Sequence, residues 1–324
     1  MNDVYPKVSI VIPVYNEERY LSDCLESVFN LDYPSDKVEV IIVDNGSTDN
    51  SIDIASKFNA QVLIKIDVKV GAVRNYGAMK SSGDIIVFLD SDCLVEKSWL
   101  KDGVHLITQG QYHAVGGLFL LRESPSWIEK NWILRSSRSY VYQKTFIGAC
   151  IFIDKEIFNS VGGFNEDLNA GEDCYLTNQL QKKGYKIRID PNLSVIHLGY
   201  PSTISGFMKR QIWHSSDYLS RLNTIFSDKT MLVVSLFLAC FISIPIILTS
   251  STSYHLIFIP LFGIICLPLL LSIKRILRYG GYTGGADLIS IYLVDILYLV
   301  SRVGGLLSGL FRKMFVNSSN KTFK

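Results

Sequence analysis

The sequence predicts an α/β fold, a mostly parallel sheet with helices on both faces, followed by a membrane region of apolar helices. Three observations predict this. From Val8 to Leu89, short apolar runs alternate with helix-spaced segments, the pattern of strands joined by crossover helices. The strand-like runs lack polar alternation, as strands covered on both faces do. In the last third, charge disappears over two runs long enough to cross a bilayer.

The elements follow in order. Val8 to Val14 (VSIVIPV) reads as a buried strand. Glu17 to Phe29 carries apolar residues at Tyr20, Leu21, Cys24, Leu25 and Val28, which is helix spacing. Val38 to Val43 is the next strand. Asp44 to Asp49 (DNGSTD) follows as a turn and cap, and Asp49 to Phe58 as a helix. Gln61 to Ile66 is a short strand, Gly71 to Ser81 a helix carrying Arg74 and Asn75, and Ile85 to Leu89 a strand. No GxGxxG follows the first strand, which argues against a dinucleotide fold.

Charge divides the chain. Residues 1–228 hold 23 Lys and Arg against 28 Asp and Glu, and residues 229–324 hold nine basic and two acidic residues, so the net +2 conceals a mildly acidic domain. A nucleic-acid partner, which calls for a strongly basic domain, is not expected. Thr230 to Ile247 and Tyr254 to Ile273 are uncharged runs joined by the short polar link Leu248 to Ser253. They predict transmembrane helices over about 230–250 and 254–273, paired as a hairpin. A buried hairpin in a soluble core is the other reading, disfavoured by both lengths and by Pro245, Pro260 and Pro268. Lys229, Lys274, Arg275 and Arg278 flank the runs and by the positive-inside rule place both ends, and residues 1–228, at the cytoplasmic side of the cell membrane.

A third apolar segment, 286–311, carries a rough polar stripe through Asp287, Ser290, Asp295, Tyr298, Arg302, Gly305 and Ser308. It is expected to be an interfacial amphipathic helix, which keeps Arg312, Lys313, Lys321 and Lys324 on the cytoplasmic side. The alternative is a third span that hides the stripe against the hairpin. No targeting sequence is expected at the N-terminus, where the first apolar run is too short. Cys24, Cys93, Cys150, Cys174, Cys240 and Cys266 form no CxxC pair and no zinc spacing. They read as packing residues of a reduced compartment.

The chemistry concentrates where IIVFL runs into Asp90-Ser91-Asp92. Open α/β sheets place their ligands at the carboxyl ends of strands. Carboxylates two residues apart on an extended segment point the same way and repel unless a cation neutralises them. Mg²⁺ or Mn²⁺ would do so and leave positions for phosphate oxygens. A solvated Asp-Ser-Asp turn fits the same residues.

Four segments in order carry a resemblance: VSIVIPVYNEERYLSDCLESV (Val8 to Val28), VEVIIVDNGSTDNS (Val38 to Ser51), GAVRNYGAMKSSGDIIVFLDSD (Gly71 to Asp92) and GGFNEDLNAGEDCYLTNQLQKKGYKI (Gly162 to Ile187). Over about the first 215 residues the chain resembles the family 2 glycosyltransferases of the GT-A fold, which are inverting and use nucleotide sugars. The resemblance implies that Pro13, Tyr15, Asn16 and Glu17 line the nucleotide pocket, with Tyr15 against the base and Glu17 near the ribose; aromatic stacking suits a pyrimidine. It implies that Asp44 accepts from the base and that Arg74 faces the nucleotide. A cap at Asp44 and a surface helix arginine at Arg74 are the plain alternatives.

Asp90 and Asp92 match the family's Asp-x-Asp motif. Asp92 is expected to be the direct metal ligand and Asp90 to lie nearer the ribose or the metal's waters, with His197 as a further ligand. Glu172 and Asp173 match the Glu-Asp pair, with Asp173 as the general base that takes the acceptor's proton; a first-turn helix acid is the alternative. Gly162, Gly163 and Phe164 are an acceptor-side turn. Arg210 and Trp213, in KRQIWH, incompletely match the family's Gln-x-x-Arg-Trp element, because Ile212 stands where its arginine would be. Arg210 could meet the phosphates, or the segment could anchor at the membrane surface. The departure argues against a processive synthase.

The segment Trp127 to Lys144 mixes Trp127, Trp132, Tyr140 and Tyr142 with Lys130, Arg135, Arg138 and Lys144. That mixture suits a membrane interface and an anionic lipid acceptor, or a solvated helix over the sheet. The expected activity is metal-assisted transfer from a nucleotide sugar, with uridine diphosphate the expected carrier, to a lipid-linked or cell-surface glycan acceptor. A polyprenyl-phosphate acceptor is one alternative. A non-catalytic membrane scaffold that keeps a nucleotide-binding fold is the other, and it has no use for Asp90, Asp92 and Asp173 together.

Overall fold

The computed structural model describes residues 5–109, 112–134, 144–168, 170–216, 229–249, 254–278 and 288–319. Arg135, Arg138, Tyr140, Tyr142, residues 250–253, Asp287, Lys321, Lys324 and the side chains of Arg312 and Lys313 lie outside the described residues. The chain forms two compact units: Met1–Arg122 with Ser137–Gly199, and Glu123–Ser136 with Tyr200–Lys324. The sequence suggests a division near residue 228. The structure instead groups residues 123–136 and 200–216 with the apolar helices, because their aromatic residues pack on those helices.

The first unit is built on a seven-stranded sheet. Its strands are β1 (Val8–Val14), β2 (Val38–Asp44), β3 (Gln61–Ile64), β4 (Ile85–Leu89), β6 (Ala114–Gly116), β8 (Cys150–Asp154) and β9 (Ile187–Ile189), in the order β3-β2-β1-β4-β8-β6-β9. β1 pairs in parallel with β2 and β4, β2 with β3, and β6 with β9. β8 alone runs antiparallel, against both β4 and β6. The sheet is mostly parallel, as the strand–helix alternation predicts. β4 is apolar throughout and β1 nearly so, Ser9 excepted, because both are central: every residue of Ile85–Leu89 is buried.

Helices α1 (Leu21–Phe29), α2 (Ser51–Ala55), α3 (Val70–Lys80), α4 (Trp99–Thr108), α6 (Lys155–Ser160) and α7 (Glu172–Lys182) belong to this unit. α1 starts four residues later than its apolar spacing suggests, since residues 16–18 are engaged by the β2 loop. Two apolar clusters hold the sheet. Leu21, Cys24, Leu25 and Trp99 join one; Val73, Phe158, Phe164 and Leu176 join the other. Phe88 of β4 meets Phe164 edge-on at 4.8 Å and Phe158 at 5.2 Å. Burying each such ring contributes roughly 1.5–3 kcal/mol, and here the burial fixes the turn before α7 against β4.

A second sheet was not expected. β5 (Cys93–Leu94), β7 (Phe119–Leu120) and β10 (Val195–His197) form it in the order β5-β10-β7. β10 pairs antiparallel with β5, and His197 stands opposite Cys93.

The second unit contains α5 (Trp127–Trp132), α8 (Ile204–Ser216), α9 (Lys229–Thr249), α10 (Phe258–Arg278) and α11 (Leu288–Ser319). Thr230–Thr249, Tyr254–Leu277 and Leu288–Phe311 are each long and apolar enough to cross a membrane. α9 and α10 pack as the predicted hairpin, and their outward residues, such as Ile246, Phe258 and Phe262, are exposed. α11 meets Val234 and Phe237 near the start of α9, and Ser272 and Arg275 near the charged end of α10. Within its polar stripe, Asp295 is covered by protein: it is 1% exposed, accepts from Ser272 at 2.7 Å and lies 3.4 Å from Arg275 Nε. α11 also packs on α5 and α8.

Candidate active site

In the first unit, the carboxyl ends of β2, β1 and β4 lie side by side and carry Asp44, Asn16 with Glu17, and Asp90 with Asp92. Pro13 helps to open this edge. Val14 O accepts from Asn45 N–H on the β2 side, so Pro13 faces β4, where pairing has already ended at Val11. A residue without an N–H is tolerated only where no ladder partner waits.

The β1 and β2 loops are tied together. Asn16 has φ 56°, a left-handed conformation that asparagine tolerates. Its Oδ1 accepts from Thr48 N–H at 2.8 Å, and its own N–H donates to Ser47 Oγ at 2.9 Å. Glu17 N–H donates to Ser51 Oγ at 2.8 Å. Tyr15 is left 58% exposed, an aromatic face available at the edge. Asp44 is buried; Oδ2 accepts from Gly46 and Ser47 N–H, while Oδ1 is buried with no protein partner. A buried acceptor without a donor is costly, and capping does not account for Oδ1.

Arg74 is the hub. α3 delivers it into the core, 3% exposed, where Nη2 donates to Asp90 Oδ1 at 2.6 Å and Nη1 to Glu172 Oε1 at 2.7 Å. Burial alone would lower its pKa, but Asp90 and Glu172 outweigh burial and hold it above the ordinary arginine value. The surface-arginine alternative is thereby set aside. The neighbouring Asn75 clamps the turn before α7: Oδ1 accepts from Phe164 N–H and Nδ2 donates to Phe164 O, each at 2.9 Å. Gly163, at φ 68°, sits where a Cβ would lie 2.6 Å from Asn75 Oδ1, so only glycine fits.

Asp173 stands in the first turn of α7 beside Glu172. Its Oδ1 accepts from Cys174 N–H at 2.7 Å and its Oδ2 from Gly148 N–H at 3.2 Å. Burial, then the Glu172 charge, raise its carboxyl above the ordinary aspartate value, against the pull of the Cys174 amide, Arg74 and the Gly148 amide. The two acids of the Glu-Asp pair therefore sit differently: Glu172 is taken by Arg74, and Asp173 is left half-buried with its carboxyl raised above the ordinary value.

Asp92 lies apart from Arg74. Its Oδ2 is 3.4 Å from His197 Nε2, and Cys93 Sγ is 3.6 Å from its Oδ1. Ligand atoms of Asp92, Cys93 and His197 all lie within 4.8 Å of one another, a grouping able to hold a metal ion. Asp90, engaged by Arg74, is outside that group. Cys93 was read as packing; its place here depends on the β5–β10 pairing. Burial, then Asp92, push its thiol well above the ordinary value. A cavity of about 560 Å³ beside α3, lined by Asn75, Tyr76, Met79 and Lys155, includes none of Asp44, Asp90, Asp92 and Asp173.

Negative charge crowds this edge. Burial, then Asp92, Asp90 and Asp49, raise Glu17 to about 7. Between the unfolded value near 4.5 and the folded value, the native state binds more protons, so stability falls as pH rises through that window. Glu17→Gln should therefore raise the melting temperature at pH 8 and change it little at pH 5. Added Mg²⁺ or Mn²⁺ should stabilise the wild type more at pH 8 than at pH 5. Melting curves at both pH values check this, and equal metal effects at both would contradict the crowding.

The sequence profile described as Glycosyl transferase family 2 matches residues 9–162. Glycosyltransferase AglE of Haloferax volcanii is 33% identical over 215 residues, 62% of this chain and 70% of that protein. The chain is a family 2 glycosyltransferase. A Methanococcus voltae dolichyl N-acetyl-α-D-glucosaminyl phosphate 3-β-D-2,3-diacetamido-2,3-dideoxy-β-D-glucuronosyltransferase is 26% identical over 227 residues, 63% of this chain and 70% of that enzyme. Among solved structures, the mannosyltransferase PcManGT of Pyrobaculum calidifontis, in complex with GDP-Man and Mn²⁺, aligns with TM-score 0.60 at 18% identity. It covers 96% of this chain and 89% of that one, a likeness of GT-A fold. Family 2 membership makes the chain a nucleotide-sugar-dependent transferase and removes the scaffold alternative. Of the residues that the resemblance assigns, Pro13, Tyr15, Glu17, Asp44, Arg74, Asp90, Asp92, Glu172, Asp173 and His197 all belong to the first unit, whereas Arg210 and Trp213 lie on α8 of the second.

Proposed function

We propose that this transferase moves one sugar, with inversion, from a nucleotide sugar bound at the β2-β1-β4 edge to a lipid-linked or glycan acceptor, with Asp173 as general base. The observation that carries the reading is Asp173 itself. It is half-buried, oriented by two backbone amides and raised in pKa, beside an Arg74 already neutralised by Asp90 and Glu172. A base is most effective when its pKa approaches the working pH. Inversion needs one such carboxylate. It takes the hydroxyl proton as the acceptor oxygen bonds to the anomeric carbon and the nucleoside diphosphate leaves from the opposite face.

The other residues bind and orient. Tyr15 offers a stacking face and Asp44 Oδ1 an acceptor for the donor's base. Arg74 fixes Asp90 beside the ribose and Glu172 beside Asp173. Asp92 and His197 fit a divalent cation, with Mg²⁺ or Mn²⁺ the class favoured by the carboxylate; the crowding that raises Glu17 is what such an ion relieves. When bound, the ion neutralises charge growing on the departing diphosphate. The Mn²⁺ and GDP-Man of the Pyrobaculum enzyme, and the lipid-phosphate acceptor in the Methanococcus enzyme's name, support the donor and acceptor classes.

The test is nucleoside diphosphate release by the full chain in detergent, over a panel of nucleotide sugars with Mn²⁺ or Mg²⁺, with and without membrane lipid extract. Release from one donor, increased by lipid, is expected. Asp92→Ala should abolish metal-dependent donor binding; unchanged binding and metal dependence would remove Asp92 from the metal site. The lysines and arginines that flank the hairpin support a catalytic unit facing the cytoplasm at the cell membrane. Protease added to sealed right-side-out vesicles should then leave that unit intact, and its digestion would reverse the orientation.

A further inference from the structure

The second unit contains a cavity of about 140 Å³ whose walls come from α5, α8 and α11. Trp132 and Phe207, 5.1 Å apart edge to face, line it. Arg210, Gln211, His214 and Arg302 line it as well. Arg302 Nε donates to Gln211 Oε1 at 3.1 Å, and its guanidinium lies 5.0 Å over Tyr298; the Arg210 guanidinium lies 5.5 Å over Tyr200. Both cations thus lie over aromatic rings. Glu129 also lines it, with its carboxylate accepting from Ser126 N–H in the α5 capping box. Two guanidiniums and one carboxylate thus line the cavity. Burial, then the Arg302 and Arg210 charges, push His214 down to about 4.

Its place in the unit matters as much as its charge. Trp132 carries the Arg275 guanidinium 4.8 Å over its ring, and Arg275 donates to Asn131 O and Trp132 O at 2.8 and 3.2 Å. Arg275 is at the charged end of α10, so the cavity lies at the level where that apolar helix meets its basic flank, the headgroup level of a bilayer. Arg302 interrupts an apolar helix, and an ionisable residue there marks a functional site by default. Pockets for drug-sized ligands run to roughly 300–1,000 Å³, so this cavity suits a single tetrahedral anion and is too small for a nucleotide sugar.

We propose that this cavity binds the phosphate of a lipid, with Arg210 and Arg302 as its charged contacts and the Trp132–Phe207 wall against the first carbons of the chain. The site deepens the acceptor half of the function proposed above and rests on it. Arginine's planar donors match phosphate oxygens in pairs. The aromatic wall gives the esterified side an apolar surface that free phosphate would not use.

The test measures binding of a fluorescent long-chain isoprenyl phosphate to the full chain in detergent, with competition by unlabelled isoprenyl phosphate, phosphatidic acid, the corresponding isoprenyl alcohol and inorganic phosphate. Both lipid phosphates should compete, and the alcohol and inorganic phosphate should compete at least about tenfold more weakly. Arg210→Gln and Arg302→Gln should each weaken binding about tenfold or more. Arg302→Lys should recover part of the loss, which a folding defect would not. Binding unchanged in both glutamine variants, or equal competition by the alcohol, would overturn the site. Equal competition by inorganic phosphate would overturn the lipid assignment. Donor binding is read separately on the same preparations with the nucleotide sugar and metal, so failure of that measurement strikes the catalytic reading and leaves the cavity's result intact.

Discussion

Asp173→Asn should leave metal-dependent donor binding intact and lower transfer by about 10²–10⁴-fold, the usual span for loss of a general base. The amide is nearly isosteric and can keep one of the two backbone contacts, to Gly148 or Cys174 N–H, so the fold at the start of α7 should hold. The comparison with Glu172→Gln separates the pair. Glu172 is bound to Arg74 at 2.7 Å and would act through position, so its loss should affect stability and KM as well as kcat. The pH profile gives a second check. Because the Asp173 carboxyl is raised, the acid limb of kcat/KM should lie above the ordinary aspartate value, with activity lost as pH falls through the raised pKa. Near-normal turnover by Asp173→Asn would remove it as the base.

Strands β1 to β4 were legible because buried parallel strands leave little choice of residue, whereas β6, β8 and β9 were not expected. Ile85–Leu89 is apolar at every position, and Asp90 and Asp92 come where the sheet ends. The antiparallel β8 was not legible, since a strand buried on both faces reads the same in either direction. His197 could be suspected, but its neighbour Cys93 could not: the two meet only through the β5–β10 pairing of segments far apart in sequence. Glu172 and Asp173 matched the family's Glu-Asp pair with Asp173 as the base, but their separate partners were not legible. On a helix, adjacent residues do not face each other, and α7 sends the first to Arg74 and the second to Gly148. The stripe on α11 was visible as polarity, but not that Asp295 would meet Ser272 and Arg275, nor that Arg302 would reach Gln211. Those contacts depend on how α8 and α10 pack on α11, which the sequence of each helix alone does not set.

Arg74→Met should produce the largest loss of stability in the first unit. Methionine approximates the stem and fills the space, but it leaves Glu172, 7% exposed, and Asp90 without the cation between them. Removing one partner of a buried ion pair costs about 3–5 kcal/mol. For a unit of this size that corresponds to a fall in melting temperature on the order of 10 °C. Arg74→Met combined with Glu172→Gln should recover much of the neutral-pH loss, because no buried charge then remains at position 172. Recovered stability without recovered activity would show that the ion pair is held for the site's geometry and not for the fold. A melting temperature unchanged in the single variant would mean that water reaches Glu172 and that Arg74 is not the hub.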